Sequence, residues 1–543
     1  MRHDLPIDYY LDNFRHLLDF VAERYWLVLN DREQKFYRDL SAVPKPAQML
    51  YVRLLSRRSD CFLQRKLAYP EIGDIGIAAN LLANIQLLEL DPELDLAQVC
   101  DLLNKADICQ RLGLPRSQSR ADLLQQLQND TCGHPQIIRQ LLTGEAVYRL
   151  LDSELFDTFK LCFFGNLRQD LTDFVLRDIG LFRYEDYQLE QQQLLFAPRS
   201  QLDQHLQYYR SSEQLEAVLQ SEPDTIVALW QELPTMDPND PLLDRRLQRL
   251  GNTLARQLER LGATEQALAI YRQLQRPPAR ERCARILAAN NDIPGALQLC
   301  ETMIAAPVNE EERYFAAEFG YRQARKAGID WPQPKRYQAP TEHLCLAPTN
   351  TRVELAVANQ LATEGECHYV ENSLLNGVLG LVIWDVIFAP IRGAFFNPFQ
   401  SAPIDFYDPG FVSRRHQLLQ QQLDKIGTTA DMTRLALGRF ESKYGISNPL
   451  IDWSKLSRVL LQKALERIPL SHWQVMMHRL LADLRQHRNG MPDLVYFPAA
   501  GGYEWIEVKG PGDRLQKNQQ RWLAFFASQA IPHRVLHINW LAS

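Results

Sequence analysis

From Gly490 to Asp513 the chain reads GMPDLVYFPAAGGYEWIEVKGPGD, two apolar segments on either side of a Gly-rich turn. Such a stretch has one compact solution, a β-hairpin. Pro498 to Gly502 is turn chemistry, and Leu494-Val495-Tyr496-Phe497 and Tyr503 to Lys509 are strand formers. Side chains alternate along a strand, so Glu507 and Lys509 share a face, as do Tyr503 and Trp505. Asp493 opens the neighbouring strand. Two carboxylates meeting at a sheet edge suit a hard divalent cation such as Mg²⁺. A lysine beside them can position or activate water and steady charge developing on a phosphate. The pattern PD-x(n)-E-x-K therefore reads as a metal-dependent nuclease. Because E-V-K alternation is also ordinary strand surface, the weight lies in its context. Gly510-Pro511-Gly512-Asp513 stops the second strand. A helical stretch from Arg514 to about Ala530 offers Leu515, Trp522, Leu523, Phe525 and Phe526 for packing, and Arg534 to Trp540 reads as a last strand.

A chain of 543 residues holds several domains, and 46% hydrophobic with 23% charged residues is an ordinary globular composition. The net charge of -6 still includes 60 Lys+Arg, so a nucleic-acid surface has to be segregated from acidic runs such as Leu88 to Asp95. The charged, aromatic start MRHDLPIDYYLDNF argues against a signal peptide. The apolar run Gly377 to Trp384 is too short to span a bilayer. Nine scattered cysteines, an odd count without a Cys-x-x-Cys, read as reduced cytosolic thiols rather than a disulfide framework or a zinc site.

The expected fold class is multidomain and mostly α, ending in an α/β nuclease domain. Residues 1–95 read as an N-terminal helical DNA-binding domain, in which a helix from Ala47 ends on Arg53, Arg57 and Arg58. Taken singly, each arginine is as readily a solvated or dipole-compensating group as a phosphate contact. Residues 96–130 form a helix, a Leu112-Gly113-Leu114 stop, a polar loop, and a second helix capped by Ser119. This resembles a SAP module, with Arg111, Arg116 and Arg120 available to phosphates. Residues 131–335 read as helical and tetratricopeptide-like. Leu261 to Tyr271 is echoed by Asn291 to Cys300, each a turn followed by a helix that starts on small residues. Prolines between Pro332 and Pro348 suggest a linker, and residues 350–543 make the nuclease domain. Basic residues crowd 413–489, among them Arg414, Arg415, Lys455 and Arg458, which suggests backbone contacts to DNA.

Nucleases of the PD-(D/E)XK class often carry a further acid on a helix before the hairpin, and Glu371 is the candidate here, with Glu364 and Glu366 as fallbacks. Asp385, 14 residues on, lies ~21 Å away if one helix runs through both, so the two cannot share an ion. The segment ENSLLNGVLGLVIWDVIFAPIRGAFFNPFQSAPIDFY, followed by MPDLV and IEVKGPGDRLQKNQQRW, resembles the Fanconi-associated nuclease family and its VRR-NUC catalytic domain. The likeness spans nearly the whole chain and is strongest from Glu371 to Trp522. It implies a structure-selective, Mg²⁺- or Mn²⁺-dependent DNA nuclease that cuts near 5′ flaps or branches. It further implies digestion from 5′ ends and a role in interstrand-crosslink repair. By that resemblance Asp493, Glu507 and Lys509 match the catalytic triplet, Glu371 matches the helix acid, and the Val508 carbonyl is a further metal ligand. The implied partner is branched or flapped double-stranded DNA with a 5′ phosphate, bound by a monomer or a DNA-induced dimer. No membrane is involved, and the Cys/His array of a ubiquitin-binding zinc finger is missing. The implied form is a bacterial one, cytoplasmic and nucleoid-associated. Two other readings stay open: a Holliday-junction resolvase-like endonuclease, and a non-catalytic DNA-repair scaffold.

Overall fold

The computed structural model describes residues 6–129, 134–170, 183–190, 194–335 and 337–541 and divides into two units, 1–181 with 196–206 and 182–195 with 207–543. It is mostly helical with small sheets, as the sequence implies, and no helix among the described residues is long and apolar enough to cross a membrane.

The first unit opens with helices Tyr9–Tyr25, Asp31–Ala42 and Lys45–Leu55. Asn30 caps the second in a reciprocal capping box with Glu33. Three short strands, β1 (Cys61–Leu63), β2 (Leu88–Leu90) and β3 (Val147–Leu150), pair antiparallel in the order β1-β3-β2. Helices Leu96–Leu102, Lys105–Leu112, Arg120–Asn129 and His134–Leu142 lie between β2 and β3 in sequence. They share a core of Val99, Cys100, Ile108, Cys109, Leu123 and Leu141. Gly113 ends the second of these helices in the left-handed region, and Ser119 Oγ accepts from the Asp122 amide at the start of the third. Helix Glu154–Phe164 returns to helix Tyr9–Tyr25, with Phe14 against Phe156 and Phe20 against Phe163, both at 5.1 Å. This corrects the start of the repeat region at 131. Residues 134–170 complete the first unit instead, because β3 is the central strand of its sheet. Residues 131–133, 171–182 and 191–193 of the expected repeat region fall outside the described residues.

In the second unit, helices Pro241–Arg260, Thr264–Tyr271, Ala279–Ala289, Ile293–Ala305 and Glu310–Ala327 pack against their neighbours in sequence. The two echoed segments turn alike, through Gly262 at φ 80° and Asn291 at φ 62°. The nuclease region carries a five-stranded sheet in the order β4-β8-β7-β6-β5. Its strands are β4 (Thr341–Leu346), β5 (Gly365–Tyr369), β6 (Leu494–Pro498), β7 (Glu504–Lys509) and β8 (His533–Trp540). β8 runs parallel to both β4 and β7, whereas β6 is antiparallel to β7 and β5. β4 corrects the expected linker: Thr341–Leu346 is an edge strand, and the flanking prolines mask its alternation. One sheet face packs Leu494, Ile506, Val508, Leu536 and Ile538 with Ala356 and Val357 of helix Val353–Leu361. The other holds Val495, Phe497 and Trp505 in a core with Trp522 and Phe526 of helix Lys517–Ser528. The wholly buried helix Leu374–Val382 joins that second core.

Candidate active site

The hairpin register builds the centre of the site. Leu494 lies opposite Ile506 and Val495 opposite Trp505, so one step further on Asp493 faces Glu507. The Val508 amide leaves the ladder and donates to Asp493 Oδ2 at 2.9 Å. A strand residue presents its N–H and C=O to the same side, so the Val508 carbonyl is turned toward Asp493 as well. The Asp493 backbone is held in turn: its carbonyl accepts from the Val370 amide at 2.8 Å, and the Met491 amide donates to Asn372 Oδ1 at 3.1 Å. The chain enters this corner through Gly490 at φ 85°, where a Cβ would stand 2.7 Å from the Asn518 side chain.

Burial makes these acids unusual. Glu507 is 0% exposed, and neither of its carboxylate oxygens receives a hydrogen bond within the described residues. Lys509 Nζ stands 2.9 Å from Glu507 Oε1, a close ion pair too oblique to count as a hydrogen bond. Desolvation, then the neighbouring Asp493, pushes the Glu507 carboxyl up to about 8 against the pull of Lys509. Asp493 rises to about 6, chiefly through burial, against the Val508 amide. A buried carboxylate that receives no hydrogen bond among the described residues and has only Lys509 beside it, opposite a second acid and a carbonyl, is a hard, all-oxygen donor set. It fits a Mg²⁺- or Mn²⁺-type ion and not a thiolate metal. Lys509 Nζ also donates to Gln519 Oε1 at 3.1 Å, and that oxygen accepts from the Gln516 amide at 2.8 Å. Gln519 therefore ties the lysine to the first turn of helix Lys517–Ser528.

The remaining expected residues fall as follows. Glu371 is not a helix acid: it sits exposed in the turn between β5 and helix Leu374–Val382, before Asn372 at φ 54°. Its charge raises both Asp493 and Glu507, and its carboxylate accepts from the Tyr369 hydroxyl. Among the described residues no three Asp, Glu, His or Cys side chains already converge on one point, and Glu371 acts on the Asp493–Glu507 pair through its charge. Glu366 lies on β5 toward the hairpin turn and pairs with Lys463 at 2.8 Å, which removes it as a fallback, and Glu364 lies beside it. The helix supposed to join Glu371 to Asp385 breaks at Ile383, and Asp385 pairs with Arg439. Tyr369 and Asn372 are site neighbours that sequence reasoning misses; their only signal is proximity to Glu371.

Several basic residues expected on DNA are spent inside the protein. Arg415 is 1% exposed and donates to Asp405 Oδ2 at 2.7 Å, because its loop folds back on Phe406 and Phe411. Arg414 reaches the same carboxylate at 2.7 Å. Arg111 donates to the Leu141 and Thr143 carbonyls, both at 2.9 Å, and pairs with Glu145. Arg120 donates to the Leu103 and Cys100 carbonyls at 3.0 and 2.7 Å. Both tie the ends of the four-helix segment together. Arg53 pairs with Glu71 at 2.6 Å and lies 3.9 Å over Tyr10. Arg57, Arg58 and Arg116 are exposed, as are Lys455 and Arg458, which stand near Asp452 and Glu441.

Comparison with known proteins matches the VRR-NUC domain at residues 429–540 and the FAN1 HTH domain at 8–89. A Fanconi-associated nuclease 1 homolog of Pseudomonas aeruginosa is 36% identical, with 98% of this chain and 96% of that protein aligned. A homolog of Oryza sativa is 23% identical over 95% of this chain and 61% of its own length. Human Fanconi-associated nuclease 1 matches 31% of this chain at 29% identity, over 17% of its own length. A crystal structure of paFAN1 bound to 2-nucleotide 5′-flap DNA with a gap superposes with a TM-score of 0.87 at 34% identity, over 99% of both chains. The complex with 1-nucleotide flap DNA gives 0.85.

Proposed function

The chain belongs to the Fanconi-associated nuclease family, and on that premise we propose a metal-dependent DNA nuclease that cuts near 5′ flaps and digests from 5′ ends. The observation that carries the chemistry is the fully buried Glu507, with two unsatisfied oxygens, facing Asp493 and beside Lys509.

Asp493, Glu507 and the Val508 carbonyl, with Glu371 at their margin, would hold Mg²⁺ or Mn²⁺. The bound ion supplies charge neutralisation at the scissile phosphate. Lys509, fixed between Glu507 and Gln519, is placed to orient the attacking water and to meet negative charge as it develops. Gln519 and the Val508 amide hold the two reacting side chains in place without touching substrate. Exposed Arg57, Arg58, Arg116, Lys455 and Arg458 are proposed as backbone contacts. For the 5′ phosphate we favour a cleft of about 520 Å³ where Arg245, Arg249, Arg276 and Arg485 converge with Glu281, Glu311 and Asp483. Burial and the neighbouring Arg276, Arg246 and Arg249 push Arg245 down to about 10 against the pull of Asp408, a strain an anion would relieve. The proposed setting is interstrand-crosslink repair in a bacterial cytoplasm, near the nucleoid, by a monomer or a DNA-induced dimer.

The test is cleavage of flap, nicked and four-way DNA by folded Asp493→Ala, Glu507→Ala and Lys509→Ala proteins. Each is expected to lose at least a hundredfold in rate, with the flap preferred by the parent; parent-like turnover in any variant removes that residue from the chemistry. Removing the 5′ phosphate should slow the parent, and Arg249→Gln should abolish the difference.

A further inference from the structure

The face of the sheet that carries Glu507 and Lys509 does not stop at β7. In the β7–β8 register Lys509 lies beside His537, and in the β4–β8 register His537 lies beside His343. Neighbouring residues in register point to one face, so Lys509, His537 and His343 form a single row. The two imidazoles are stacked, with centroids 5.5 Å apart and planes 26° from parallel. His343 is exposed and His537 half-buried, and neither ring has a hydrogen-bond partner within the described residues. The β4 and β8 part of this face, beyond Lys509, is free of acid: Thr341, His343 and Cys345 of β4 and Val535, His537 and Asn539 of β8 carry no carboxylate, whereas the acids Asp493, Glu507 and Glu366 lie on its β5–β7 side. The one acid on these two strands, Glu342, lies 3.3 Å from Arg534 among the even-numbered residues of the opposite face.

An edge strand with a histidine pair that has no hydrogen-bond partner within the described residues, next to the lysine proposed to meet phosphate, is a surface for an anion. Adjacent strands lie about 4.8 Å apart, which sets His343 roughly 10 Å from Lys509. A DNA strand carries one charge for about every 3.4 Å of helix axis. We propose that His537 and His343 bind a backbone phosphate of the substrate strand within about three nucleotides of the scissile bond and so position that strand over Lys509. The stack fixes the ring planes in advance, and an imidazole N–H donates to the phosphate oxygen. These are positioning residues, and the inference rests on the nuclease reading above.

A neutral methylphosphonate, walked one position at a time along the cut strand of a flap substrate, tests this. Binding is measured in chelator so that no cutting intervenes. In the parent, one position within three nucleotides of the cut should weaken affinity fivefold or more. In His343→Gln/His537→Gln that position should be silent, while the other positions behave as in the parent. The single His343→Gln protein, altered only at an exposed residue, should show a partial loss and guards against misfolding of the double variant. Coincident profiles for parent and variants would overturn the inference. Cleavage of unmodified flap DNA in Mg²⁺ is read separately: absence of cutting by the parent defeats the nuclease reading, whereas cutting with coincident profiles defeats this inference alone.

Discussion

Replacing Glu507 with Gln should stabilise the metal-free protein at alkaline pH while abolishing cleavage. The side chain is fully buried, with no partner on its oxygens within the described residues but the Lys509 ion pair, and its carboxyl is held at about 8 against an ordinary 4.5. A raised carboxyl favours the folded state at low pH. That contribution is complete below 4.5 and is lost as pH climbs through about 8, where the buried group must ionise. At about 1.4 kcal/mol per tenfold in proton affinity, the ionised folded protein gives up roughly 5 kcal/mol. Gln keeps the volume and removes the charge, while Asp493, raised chiefly by its own burial, stays raised. Lys509 loses its ion-pair partner, which offsets part of the gain and leaves roughly 2–4 kcal/mol. For a unit this large that is a rise of roughly 3–5 °C in the thermal midpoint. The assay is thermal unfolding of the full chain from pH 5 to pH 9, in chelator and in saturating Mg²⁺. The parent should lose stability toward pH 9 in chelator and regain it with metal, whereas Glu507→Gln should show only the smaller loss that Asp493 gives up to about pH 6, stay flat above it, and respond far less to metal. A variant less stable than its parent at pH 9 in chelator would refute the reasoning, as would a parent indifferent to both pH and metal.

Asp405→Asn should destabilise the fold by roughly 3–5 kcal/mol by leaving Arg415 buried and unpaired, seen as a lowered urea midpoint. Glu310 is drawn down to about 2 by His487 and Arg479 despite its burial. It should therefore contribute roughly 3 kcal/mol above pH 4.5, lost as pH falls through about 2, and Glu310→Gln should flatten that acid limb in pH-dependent unfolding. Arg57→Gln/Arg58→Gln should lower the salt slope of DNA binding by about 1–2 with stability unchanged. Arg111→Gln should do the reverse, lowering stability through its lost carbonyl and Glu145 partners and leaving the slope alone.

The hairpin was legible because everything that places Asp493 beside Glu507 is local. A turn at Pro498 to Gly502 sets the register, and a period of two sets the face. The same reasoning reaches β8 and the helix between, whose apolar residues face one core. It fails at β4, since a six-residue edge strand between prolines shows its pairing only once β8 lies beside it. It fails again at Glu371, which the helix acid common in PD-(D/E)XK nucleases puts on a helix; the positive φ of Asn372 goes with a turn instead, where the Glu371 carboxylate is claimed by Tyr369. The arginines divide along the same line. Arg57 and Arg58 sit at an exposed helix end that local pattern reveals, whereas Arg111 is claimed by carbonyls 30 and 32 residues away and Arg120 by carbonyls 17 and 20 residues back. A charged residue is thus readable as a functional group where its neighbours are fixed by its own strand or turn. Where the partners arrive from distant sequence, the same residue is a structural tie, and only the fold distinguishes the two. That distinction favours the row Lys509–His537–His343 as a site: tertiary pairing brings the three together, yet neither imidazole is given an acid or a carbonyl to hold within the described residues.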